Sequence, residues 1–176
     1  MEFKIVKFFN RLGSGWISKI TDYTCRLSPF IIFWIILVSL FLIFDEMFGE
    51  RIFFGFFIAL LLQTIITEGL LKGKLVKIWR IRERPYLRHS EIKPIGEKRV
   101  DSAFPSSHLA ISVLFFTILL SYYIYLWPLA VILVAFIAYA RIHNGMHYLS
   151  DILAGIILGS IYGWAGVFII DKLIWV

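Results

Sequence analysis

Apolar runs approaching twenty residues recur along this chain, and no other feature constrains its folding as strongly. Five stand out, at about Leu27 to Phe44, Ile52 to Leu71, Leu109 to Leu126, Pro128 to Ala140 and Ile152 to Ile170. A helix needs roughly 20 apolar residues to cross about 30 Å of hydrocarbon, and a spanning segment must satisfy its backbone polar groups away from water. The sequence therefore predicts an all-α, polytopic transmembrane helical bundle of about five spans, organised as a single integral membrane domain over 1–176. Composition agrees, with 60% of the residues apolar, 17% charged and a mean hydropathy of +0.82. Such values exclude a disordered, collagen-like or disulfide-stapled chain. Cys25 is the only cysteine, so neither an intramolecular disulfide nor a thiolate metal cluster can form. The run from Pro128 is short for a crossing and would need flanking anchors or a thinned bilayer. Trp127 with Tyr122, Tyr123 and Tyr125 supplies an aromatic belt there, and a tight hairpin is expected between the third and fourth runs.

Residues Met1 to Ile20 do not read as a cleavable signal, because Lys4, Lys7, Arg11 and Lys19 interrupt every apolar stretch. Phe3, Val6, Phe9, Leu12 and Trp16 recur at helical spacing, which predicts an N-terminal amphipathic helix lying in the membrane interface, within 1–26. Lys and Arg outnumber Asp and Glu by 18 to 12, a surplus that suits anionic lipid headgroups better than nucleic acid. No nucleic-acid-reading motif and no obligate protein partner is evident. The one long polar stretch, Lys72 to Asp101, carries ten basic and four acidic residues. Loops of that length are usually functional or disordered, so 72–108 is expected to hold the chemistry. With five crossings, all Lys and Arg except Arg51 and Lys172 fall on one side of the membrane.

Three clusters on that side carry the chemistry-bearing residues. Lys77, six residues before Arg84 and Pro85, offers a point charge and a planar fork, both suited to phosphate oxygens. A solvated, lipid-attracting loop would look the same. Pro105-Ser106-Ser107-His108 precedes an apolar run, so free amides of a helix start would face an anion with His108 placed to move a proton. An ordinary Ser-capped helix is the plainer reading. Arg141 is followed by His147 and, four residues later, Asp151, a spacing at which a carboxylate can meet an imidazole and fix its tautomer. Asp151 could equally cap the helix that begins near Ile152. His89 and His143 lack such partners and read as bystanders.

Taken together and in order, Lys77-x6-Arg84-Pro85, Pro105-Ser106-Ser107-His108 and Arg141-x5-His147-x3-Asp151 resemble the three-part signature of the type 2 phosphatidic acid phosphatase superfamily. The resemblance implies a helical core over about Ile52 to Ile170, a site at the membrane surface and no cofactor or metal. Position by position, His147 resembles the family nucleophile, Asp151 the carboxylate that orients it, and His108 the acid that protonates the departing oxygen. Lys77, Arg84, Ser106, Ser107 (through its amide) and Arg141 match phosphate-binding positions. Two residues depart from the pattern: Ser107 stands where Gly is usual, which would be strained if the loop needed positive φ, and Ala140 replaces a Ser. The family core also commonly has three crossings before the first motif, against two here plus the interfacial helix.

The resemblance implies a lipid phosphate as substrate: first the 1-phosphate of lipid A, with undecaprenyl pyrophosphate and phosphatidylglycerophosphate close behind. It also implies a bacterial inner membrane location with the site on the periplasmic side, whereas the basic asymmetry alone would turn that face to the cytoplasm. Glu68, within the second apolar run, motivates a rival reading as a transporter or binding protein for an anion.

Overall fold

The computed structural model describes residues 1–12, 15–73 and 82–174. Among them the regular structure is entirely helical: α1 (Glu2–Arg11), α2 (Trp16–Cys25), α3 (Leu27–Phe44), α4 (Gly49–Gln63), α5 (Pro85–Arg88), α6 (Ser107–Tyr122), α7 (Trp127–His143) and α8 (Leu149–Ile169). Two helices loosen into π-helical turns, α4 through Thr64–Leu71 and α8 through Ile170–Ile174.

Each predicted apolar run has become a helix, and burial separates their roles. α6 is apolar on nearly every face, and a helix of that kind belongs at the centre of a bundle. Its residues from Ser107 to Phe116 are buried, while α7 turns Leu129, Val131, Ile132 and Phe136 outward as a lipid-facing helix would. α3 presents Phe30, Trp34 and Val38 inward at four-residue spacing, with Trp34 4.7 Å from Phe115 of α6. α4 answers with Ile52, Phe56 and Ala59.

The tightest pairing is α6 against α8. Gly155, Gly159 and Gly163 form a stripe on α8, and a Cβ added at Gly159 would lie 2.5 Å from the Ala110 carbonyl oxygen. Only hydrogen at these positions lets the two backbones approach so closely, the usual basis of small-residue helix contacts in membranes. The packing fixes the start of α8 beside the start of α6, where the amide of Ser106 donates to the Asp151 carbonyl at 3.1 Å.

Among the described residues three helices are long and apolar enough to cross a membrane: Gly49–Leu71, Ile124–His143 and Leu149–Lys172. A fourth is added if α2 and α3, meeting at a 68° bend, form one broken span. The fourth apolar run therefore needs no thinned bilayer: with the 3₁₀ turn before it, it extends to 20 residues, or about 30 Å of helix. It runs past Ala140 because Arg141 and His143 are enclosed by protein rather than lipid. The expected hairpin is present, with only Tyr123 to Leu126 between α6 and α7.

At the end remote from the clusters, Arg51 pairs with Asp171 at 2.9 Å, and the Tyr122 hydroxyl donates to the same carboxylate. The N-terminal stretch is two helices rather than one, separated near Gly15 at φ +64°. The apolar face of α1 is also covered by protein: Val6 is fully buried in a cluster with Ile92, Leu109, Ile142, Tyr148 and Ile152. Asn10 extends the contact by donating to the carbonyls of Lys93 and His143.

Candidate active site

α7 ends in a Schellman turn, in which the Gly145 amide donates to the Ile142 carbonyl and the Met146 amide to the Arg141 carbonyl. Gly145 takes φ +71°, a left-handed conformation open to glycine without strain. The reversal folds His147 back over the last turn of α7, leaving Arg141 Nη2 3.2 Å from its Nε2. Arg84 Nη1 lies 3.5 Å from the same nitrogen. Guanidinium nitrogens only donate, so Nε2 is the accepting lone pair and the ring proton sits on Nδ1. That Nδ1–H donates to the Ala103 carbonyl at 2.8 Å. Burial, reinforced by the charges of Arg141, Arg84 and Lys72, pushes His147 well below the ordinary imidazole value. A buried, neutral imidazole with its lone pair aimed at two cations is a competent nucleophile toward an anion those cations bind.

Asp151 does not make the hydrogen bond expected of it. Its Oδ2 lies 3.7 Å from His147 Nδ1, too far for one, and instead accepts the Tyr148 amide at 2.8 Å as the capping box of α8. Its Oδ1 accepts from Arg82 at 2.6 Å. The residue can act electrostatically on His147, but the tautomer is fixed by a main-chain oxygen. Arg82, which the sequence reading left out, also donates to Glu2 and Ser150 and so ties α1 to the start of α8.

His108 stands in the first turn of α6, 4% exposed, with its Nε2 buried and unpartnered. The Ser106 hydroxyl is likewise buried without a partner. The first amides of α6 have no acceptor inside the helix and form a positive end beside the cavity. Ser107 is not strained, since no described residue other than glycine has positive φ. Its hydroxyl donates to Glu68 and accepts from Lys72 Nζ at 2.6 Å. Lys77 lies outside the described residues. Arg84, just ahead of α5, is held by Asp101, which accepts from Nη2 at 2.7 Å. Burial raises the Asp101 carboxyl, but Arg84 outweighs it and the net value falls. Arg141 is held by the Cys25 carbonyl at 3.3 Å.

His147, His108, Arg84, Arg141 and Ser107 thus line one cavity of about 220 Å³, together with Glu68, Lys72, Arg99 and Gln63. Those last four were missed as site residues. Glu68 and Lys72, four apart on one helix face, were the legible signal, but which way that face turns is set by packing. His143, taken as a bystander, donates or accepts at both ring nitrogens, toward the Phe9 carbonyl at 2.8 Å and Ser18 at 3.2 Å, and anchors the N-terminal helices. No group of three His, Cys, Asp or Glu among the described residues is placed to hold a metal ion.

Comparison with known proteins falls in line with this geometry. An undecaprenyl-diphosphatase of Sulfolobus acidocaldarius is 29% identical over 130 residues, covering 72% of this chain and 58% of its own length. The chain therefore spans less than two thirds of that relative. A crystal structure described as the first transmembrane PAP2 type phosphatidylglycerolphosphate phosphatase from Bacillus subtilis superposes with a TM-score of 0.68 at 16% identity. The superposition covers 98% of this chain and 85% of that one, a likeness of fold. Residues 52–175 match the PAP2 superfamily, and with that match running over most of its length the chain belongs to this superfamily.

Proposed function

We propose that the protein is a membrane lipid phosphatase that needs no metal, hydrolysing a lipid-linked phosphate or diphosphate through a phosphohistidine. One observation carries this reading: the lone pair of His147 Nε2 and the unpartnered Nε2 of His108 line one buried cavity with Arg84 and Arg141. Phosphoryl transfer asks chiefly for in-line positioning and stabilisation of charge on the equatorial oxygens. The two guanidinium groups and the start of α6 supply both.

In the first step a bond forms from His147 Nε2 to phosphorus as the bond to the lipid oxygen breaks. His108, protonated once the anionic phosphate lies alongside, passes its proton to that oxygen. His108, now neutral, then takes a proton from water as the water oxygen attacks phosphorus, and inorganic phosphate leaves with His147 restored. Lys77, Ser106 and the Ser107 amide complete the phosphate contacts, and Asp151 steadies the charge on the imidazole.

The family and the apolar walls of the bundle support a lipid substrate. The named relative supports undecaprenyl diphosphate, the structural neighbour phosphatidylglycerophosphate, and the size and layout of the chain the 1-phosphate of lipid A. We place the protein in a bacterial inner membrane with the site toward the periplasm. Purified protein assayed with chelator against these lipids is expected to release phosphate, and His147→Ala to release none. Turnover by a well-folded His147→Ala variant, or anion transport without phosphate release, would reject the reading.

A further inference from the structure

We propose that Lys72, positioned by the Ser107 hydroxyl, and Gln63 form a subsite for the second phosphate of a lipid diphosphate, on the leaving-group side of the transferred phosphorus. The inference rests on the reaction proposed above and names the substrate class for the same cavity. It begins from His108. The residue that protonates the departing oxygen marks the side on which the leaving group lies. Ser107, the residue before it at the start of α6, lines the same cavity, and its hydroxyl accepts from the Lys72 ammonium at 2.6 Å.

Beyond the departing oxygen, a monoester presents carbon and a diphosphate presents a second phosphorus with its charged oxygens. A buried ammonium can meet those oxygens, whereas carbon offers it no acceptor. Lys72 is 9% exposed and lines the cavity nonetheless. Glu68, 2.9 Å from Nζ, pairs with it and offsets part of the cost of burying the charge. Lysine serves phosphate as a point charge, which suits a group whose oxygens shift as the bond breaks.

Gln63 is the independent observation. It lies two turns and more before Lys72 on the same wall of the cavity, is 2% exposed, and has its Nε2 buried with no partner. An amide left so is destabilising unless something accepts from it, and a phosphate oxygen is a fitting acceptor. Leu60, one turn before Gln63, also lines the cavity with Ile31 and Ile111, so the same cavity offers hydrocarbon as well as charge. The π-helical turn Thr64–Leu71 lies between Gln63 and Lys72 and sets their relative facing, as such turns often do at functional sites.

The test compares farnesyl diphosphate with farnesyl phosphate, in detergent micelles with chelator, using phosphate release by the full chain. Lys72→Met is expected to lower the ratio of kcat/KM for diphosphate over monophosphate on the order of tenfold to a hundredfold, the scale of a hydrogen bond to a charged group. Gln63→Leu, which leaves no buried charge behind, should lower the same ratio more weakly. Should Lys72→Met fail to fold because Glu68 is stranded, the double variant Glu68→Gln with Lys72→Gln removes both charges and carries the same expectation. An unchanged ratio in the folded variants overturns the subsite while leaving the phosphatase intact. Absence of release from either compound by the wild-type protein overturns the phosphatase reading and the subsite with it.

Discussion

With the Ala103 carbonyl holding the Nδ1 proton at 2.8 Å, His147 keeps Nε2 deprotonated without help from a carboxylate. Asp151→Asn should therefore leave clearly measurable turnover, at least tenfold above His147→Ala, since oxyanion and proton-transfer groups typically contribute 10²-fold or more apiece. Equal losses in the two variants would return the orienting role to Asp151. Burial and the neighbouring cations hold the His147 value down, so the folded protein binds that proton less readily than the unfolded chain. Stability then falls as pH drops below about 6.5, the unfolded value, and levels only once the lower folded value is passed. Denaturant midpoints between pH 8 and 5 will check the sign, and His147→Gln should flatten that slope. The types and spacings of these residues were visible in the sequence, because helix periodicity joins neighbours four apart. The partner of Nδ1 was not, since a main-chain oxygen leaves no mark in a side-chain pattern.

At the level of elements, the stripe Gly155, Gly159 and Gly163 sets the separation of α6 from α8 and, through it, the meeting of His108 with His147. Gly159→Val would press a side chain against the Ala110 carbonyl at 2.5 Å and against Val113 Cβ at 2.9 Å. We expect a loss of about 1–3 kcal/mol, read as a lower melting temperature in detergent, with activity falling in parallel. An unchanged melting temperature would show that the helices can separate cheaply. The apolar runs told where helices form, because only helices satisfy the backbone in lipid. They could not tell which helix is central. α6 and α7 are similarly apolar, and it is the start of α6 at Ser107 and the glycines facing it that place it inside. The apolar run stops at Ala140 for a related reason: charged residues follow it, yet α7 continues to His143 because protein packing encloses Arg141 and His143.

Across the whole molecule, the polar groups divide between two ends. One end holds the cavity and the N-terminal helices; the other holds Arg51, Asp171 and the tyrosines of the α6–α7 turn. Lys98→Cys, at an exposed position next to Arg99 of the cavity wall, in a Cys25→Ser background, should react with an impermeant maleimide added outside intact cells. Labelling only after lysis would turn the site inward. Val6→Asp places a charge in a fully buried apolar cluster between α1 and the start of α8, and should lower the melting temperature and weaken activity together. That docking joins distant parts of the chain: Glu2 accepts from the Ser150 amide, and Asn10 donates to the His143 carbonyl. During translation, residues 1–11 leave the ribosome more than a hundred residues ahead of these partners. Until α7 and α8 have followed, the apolar face of α1 lacks the protein surface that covers it in the bundle, so this contact can close only after more than a hundred further residues have been made.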